Sequence, residues 1–145
     1  MSYIYQTDRI ELYEQIKRHA RFIKGHVLDV GAGSFSRYKD LFSFNEYTKM
    51  NTEPGENTNI VGKVENIPSE DNSFDSIICT QVLGDVYELN KAFSEFYRVL
   101  KPEGMLLLTE NLFDSLHLCC NLSRLLHCVL YSDGNDSPTR SGSNS

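Results

Sequence analysis

Tryptophan is absent from this chain of 145 residues, and proline and cysteine are scarce, with four of each. So little proline excludes a collagen-like or proline-rich linker character. The cysteines, Cys79, Cys119, Cys120 and Cys128, lack the paired spacing of a metal-ligand set, and adjacent Cys119 and Cys120 are poor candidates for a structural bridge. A reduced, cytoplasmic setting is expected. Positive charge is also short: 14 Lys and Arg stand against 20 Asp and Glu, a formal charge of -6. That deficit argues against a nucleic-acid backbone or an anionic membrane as main partner. No apolar run reaches the roughly 18 residues that a membrane span needs. The most apolar stretch, 113–131, is broken by Asp114, His117, Asn121, Arg124 and His127. The N-terminus has no basic region followed by an apolar stretch, so no signal peptide is expected. His19, His26, His117 and His127 share no metal-binding spacing, and no metal is expected.

What is present suits one domain with a real core, since 40% of the residues are hydrophobic and 11% aromatic. Asp8 and Glu11 form a cap pair ahead of Ile10, Tyr13, Ile16 and Ala20, which predicts a first helix closed by Gly25. The run His26-Val27-Leu28-Asp29-Val30 then predicts a strand ending in a glycine turn. A short helix is expected over 36–44, and further strands over 46–51, 59–64, 74–79 and 105–109. A helix over 87–100 has Leu89, Ala92, Phe93, Phe96, Val99 and Leu100 on one face. Strands alternating with helices imply parallel pairing and right-handed crossovers, hence an α/β three-layer sandwich. After Glu110, Leu118, Leu122, Leu125, Leu126 and Val129 fit one helix face, predicting a helix over about 113–131. Residues 132–145 contain no large apolar side chain beyond that helix and are expected to be a disordered tail.

The chemically informative stretch is Leu28-Asp29-Val30-Gly31-Ala32-Gly33. Glycine at a strand-to-helix turn permits positive φ and lets a ligand approach the backbone closely. A nicotinamide fingerprint wants a third glycine where Ser36 stands, and an apolar residue rather than an acid two residues before the first glycine. The pattern favours another ligand.

With Gly62, Ile67-Pro68, Asp71-Asn72-Ser73-Phe74-Asp75 and Arg98-Val99-Leu100-Lys101-Pro102-Glu103-Gly104 following in order, the chain resembles a class I S-adenosylmethionine-dependent methyltransferase of the small-molecule type 11 branch. The resemblance implies a Rossmann-like, largely parallel sheet of order 3-2-1-4-5 within a methyltransferase-like domain over 1–131. It also implies S-adenosylmethionine as cofactor, with no metal, and a small-molecule methyl acceptor. Asp29, Gly31, Ala32 and Gly33 would hold the methionyl end. Asn51 and Glu53 would meet the ribose, Lys63 and Val64 would flank the adenine, and Cys79 and Thr80 would face the methyl group. Gln81 would touch substrate. No residue is singled out as a catalytic acid or base, since direct displacement by an aligned nucleophile needs none.

Departures from that family's pattern are specific. Phe35 stands where a third glycine is usual, and Asn51 is neutral where a carboxylate is expected. Lys63, which can only donate, replaces an adenine-binding aspartate, and Glu103 replaces a turn glycine. The sheet is expected to be truncated at its sixth and seventh strands, leaving the fifth as a bare apolar edge that invites a homodimer. These departures keep open an alternative: a degenerate fold acting as a non-catalytic binding or interaction protein.

Overall fold

A computed structural model describes residues 12–33, 36–80, 82–83, 86–112, 114–121, 127–132 and 139–140. The strands are β1 (Lys24–Val30), β2 (Ser43–Asn51), β3 (Ile60–Val61), β4 (Phe74–Thr80), β5 (Leu100–Leu112), β6 (Asp114–Asn121), β7 (His127–Ser132) and β8 (Thr139–Arg140). Helix α1 covers 12–19 and helix α2 Leu89–Val99, with short 3-10 turns at Ala20–Phe22 and Lys39–Leu41. The first five strands lie in the order β3-β2-β1-β4-β5, and all their pairings are parallel. This is the expected Rossmann-like sheet.

Strand periodicity explains how one sheet serves two cores. Leu28, Ile77, Leu106 and Leu108 bury against Ala92, Phe96 and Val99 of α2. Their neighbours Val27, Ile78 and Leu107 bury on the other face, against Leu12 and Ile16 of α1 with Ala20 and Ile23 beyond it. Both faces being covered, these strands carry consecutive buried apolar residues, Val27-Leu28, Ile77-Ile78 and Leu106-Leu107-Leu108, rather than strict alternation.

Two polar devices pin the sheet. The Ser76 hydroxyl accepts from the Lys24 N–H (3.1 Å) and donates to the Lys24 carbonyl (2.9 Å), and Asp75 Oδ2 accepts from the His26 N–H (2.8 Å), clipping β4 to the start of β1. On the α2 side, the Arg98 guanidinium donates to Glu95, to Asp71 Oδ1 and to the carbonyls of Ile67 and Ser69. Glu95 Oε2 in turn accepts from the Ile67 N–H at 2.8 Å. The loop between β3 and β4 is thereby held to α2.

Several expectations change. The segment after the glycine turn has a 3-10 turn at Lys39–Leu41 in place of a helix over 36–44, and β2 begins at Ser43. The larger correction is C-terminal. Where a helix was expected over 113–131, the structure has β6 and β7, antiparallel to β5 and to each other, with β8 beyond. β6 pairs with β5 from Met105 to Leu112, so the backbone groups on that side of β5 are taken. The edge proposed for a homodimer is occupied by the chain itself. Part of the expected disordered tail, Thr139–Arg140, lies in β8; 133–138 and 141–145 lie outside the described residues.

Candidate cofactor site

The glycine turn leaves β1 at its carboxyl end, where ligands bind in open α/β sheets. Gly31 (φ 69°) and Gly33 (φ 63°) adopt the left-handed region, which disfavours any side chain. A Cβ on Gly31 would come within 2.5 Å of Val82 Cγ2, whereas one on Gly33 would meet nothing within 4 Å. The turn is anchored to β2 by the Gly31 N–H, which donates to the Met50 carbonyl at 2.8 Å.

A cavity of about 690 Å³ opens beside this turn, spanning the ends of β1, β2 and β3. It is lined by Gly31 and Gly33, by Asn51 and Glu53, by Lys63 and Val64, and by Val82, Val86 and Tyr87 from the segment after β4. This volume falls within the few hundred to a thousand Å³ usual for small-molecule sites. Exposed Glu53 makes no ion pair with a described residue.

Asn51 has a second occupation. Its Oδ1 accepts from the Gly33 N–H (2.9 Å), while its Nδ2 donates to Thr58 Oγ1 (2.9 Å) and, at 3.4 Å, to the Gly33 carbonyl. One side chain therefore ties the glycine turn to the β2–β3 loop. A carboxylate at this position would lack those donor hydrogens.

Asp29 is buried below the turn rather than on the cavity wall. Its Oδ2 accepts from the Tyr47 hydroxyl (2.6 Å) and the Ser36 hydroxyl (2.9 Å). Burial pushes its carboxyl above the ordinary value, against the pull of those two hydroxyls and of nearby Lys49. The Tyr47 phenol is pushed up as well, by burial and by the adjacent Asp29. The two groups are coupled: the phenol's hydrogen bond opposes the rise at Asp29, and the carboxyl beside it adds to the rise at Tyr47.

Residues 28–108 match the sequence profile of the methyltransferase domain family. The chain belongs to that family. S-adenosylmethionine is the methyl donor that goes with this methyltransferase domain. The ubiquinone/menaquinone biosynthesis C-methyltransferase UbiE of Escherichia fergusonii is 41% identical over 69 residues, 43% of this chain and 28% of that protein. Among solved structures, PH0226 from Pyrococcus horikoshii superposes with a TM-score of 0.58 at 26% identity, over 72% of this chain and 57% of its own. YcgJ from Bacillus subtilis gives 0.56 at 26%, over 68% and 49%. The chain thus spans between about a quarter and somewhat over half the length of these relatives.

Of the residues expected to hold the cofactor, Gly31, Gly33, Asn51, Glu53, Lys63 and Val64 line one cavity of the methyltransferase domain. Ala32 lies between two of them, off its wall. Cys79 is fully buried in the α2-side core, and half-exposed Thr80 ends β4 without reaching the cavity. Gln81 and Phe35 lie outside the described residues. No group of three or more His, Cys, Asp or Glu among the described residues could hold a metal ion, and no described helix is long and apolar enough to cross a membrane.

Sequence reasoning missed Tyr47, Thr58, Val82, Val86 and Tyr87. The last three lie directly after β4, where attention to polar residues singled out Gln81 and passed over the apolar wall.

Proposed function

We propose that this chain binds S-adenosylmethionine in the cavity at the carboxyl ends of β1–β3 and transfers its methyl group to a small-molecule acceptor. The supporting observation is that six residues expected for cofactor binding, drawn from three separate segments, converge on that one cavity. The residues fit the cofactor: two side-chain-free turn positions admit close backbone approach, and Glu53 offers two acceptors for ribose hydroxyls. Met50 and Val64 supply apolar contact for a purine. When bound, S-adenosylmethionine supplies an electrophilic methyl group on a sulfonium. The chain's own contribution is to orient the donor and exclude competing water, because alignment supplies much of the rate in such a displacement. The name of the UbiE relative points to a quinone-related ring as acceptor class.

A second reading, a non-catalytic binding protein, is favoured by the Asn51 side chain, which occupies the Gly33 N–H that a bound ligand would otherwise meet. Calorimetry with S-adenosylhomocysteine separates the two. The enzyme reading expects binding by the wild-type chain, weakening in Glu53→Ala and loss in Gly31→Val, where positive φ and Val82 both oppose the new side chain. Absence of binding at millimolar ligand would leave the non-catalytic reading.

A further inference from the structure

Tyr87 belongs to the cavity wall yet is wholly exposed, at 100%. It sits on the segment joining β4 to α2 and lines the same cavity as Val64, which follows β3. The apolar residues sharing the cavity with it are Met50, Val64, Val82 and Val86. Val64 and Met50 are buried in the α2-side core, so that wall is fixed. Tyr87 stacks on no other aromatic ring among the described residues. A cavity lined both by fixed apolar side chains and by an exposed aromatic ring matches a flat, π-bearing ligand better than a flexible chain. The polar rim fits the same ligand, since Lys63 offers donors to the ring nitrogens of a purine.

We infer that Tyr87 is an aromatic clamp that folds over the purine ring of the cofactor, pressing it against Val64. The inference rests on the cofactor reading above and assigns affinity to a residue outside the glycine turn and the β2 acceptors. Stacking a base on an aromatic side chain, measured by alanine substitution, changes affinity by roughly fivefold to a hundredfold.

The chain has no tryptophan, so Tyr87→Trp installs a single indole reporter at the clamp. Its emission, and calorimetry on wild type, Tyr87→Phe and Tyr87→Ala, would be followed with S-adenosylhomocysteine, adenosine and methionine as separate probes. Because the side chain is fully exposed, all three variants should melt at the wild-type temperature, which is checked first. The expected result is quenching of the indole by S-adenosylhomocysteine and adenosine but not by methionine. Tyr87→Ala should bind S-adenosylhomocysteine at least roughly fivefold more weakly, and Tyr87→Phe should bind within about twofold of wild type. Equal affinity of wild type and Tyr87→Ala overturns the clamp while leaving the cofactor site standing. Quenching by methionine alone also overturns it, by placing the amino-acid end beneath Tyr87. No binding of S-adenosylhomocysteine by wild type overturns the cofactor reading, and the clamp with it.

Discussion

Replacing Asn51 with Asp tests how this cavity is tuned, because the two side chains have nearly the same shape and differ in charge and in the donor hydrogens that the structure uses. In the wild type, Nδ2 donates at 2.9 Å to Thr58 Oγ1 and at 3.4 Å to the Gly33 carbonyl. With Asp, the Thr58 hydroxyl can rotate to donate instead, so that bond is retained in reverse. The contact to Gly33 becomes a repulsion between a carboxylate and a carbonyl oxygen. Losing one half-exposed bond and gaining that repulsion amounts to about 1 kcal/mol, or about 4 °C in Tm for a chain of this size. Affinity should move the other way. A charge-assisted bond to a ribose hydroxyl is stronger than a neutral one by about 1–1.5 kcal/mol, so S-adenosylhomocysteine should bind about tenfold more tightly. Thermal melting and calorimetry on wild type, Asn51→Asp and Asn51→Ala measure both quantities. If Asn51→Asp binds no more tightly than wild type, the ribose does not lie against this side chain.

Glu103 adopts φ 68° in the exposed, irregular start of β5, where a left-handed conformation costs a non-glycine residue about 1–2 kcal/mol; after the extra chain entropy of glycine, Glu103→Gly should stabilise by about 0.5–1 kcal/mol in denaturant titration. Arg98→Ala removes every guanidinium bond to Glu95, Asp71, Ile67 and Ser69 and should destabilise by about 2–3 kcal/mol, with Arg98→Lys recovering little because an ammonium cannot reproduce the fork. Its bonds to Arg98 hold the Glu95 carboxyl below its ordinary 4.5, so the folded chain binds fewer protons than the unfolded one there; stability should fall as pH drops from about 4.5 through the depressed value, and Glu95→Gln should flatten that slope in unfolding midpoints read against pH. Asp29 acts with the opposite sign: burial raises its carboxyl, so its contribution grows as pH falls through that raised value toward 3.8, and Asp29→Asn should abolish this component.

The parallel half of the fold was legible because each strand is bounded by residues with few alternatives. Gly31 and Gly33 end β1, Asn72 with its positive φ precedes β4, and Pro102 to Gly104 mark the register shift before β5's parallel run. The C-terminal half was misread for a physical reason. Leu118, Leu122, Leu125, Leu126 and Val129 satisfy a helical period, but short apolar runs satisfy a strand period too. What decides between them is pairing with Met105–Leu112, a contact that no local pattern contains. The site shows the same division. Its glycines announce themselves through backbone conformation, whereas Asn51 declares its bonds to Gly33 and Thr58, and Asp29 its bond to Tyr47, only once β2 lies beside β1.

The clips from Ser76 and Asp75 onto Lys24 and His26 join positions 52 and 49 residues apart. On a ribosome moving at about 5–20 residues per second, roughly 2–10 s separate the emergence of β1 from that of its β4 neighbour. During that interval β2 can pair with one side of β1, but the side destined for β4 carries unsatisfied backbone groups beside the apolar Val27 and Leu28. The later hairpins from β5 to β8 close between near neighbours and involve no such wait. The nascent chain is therefore most open to misassembly with its neighbours on a polysome between synthesis of the glycine turn and synthesis of Ser76.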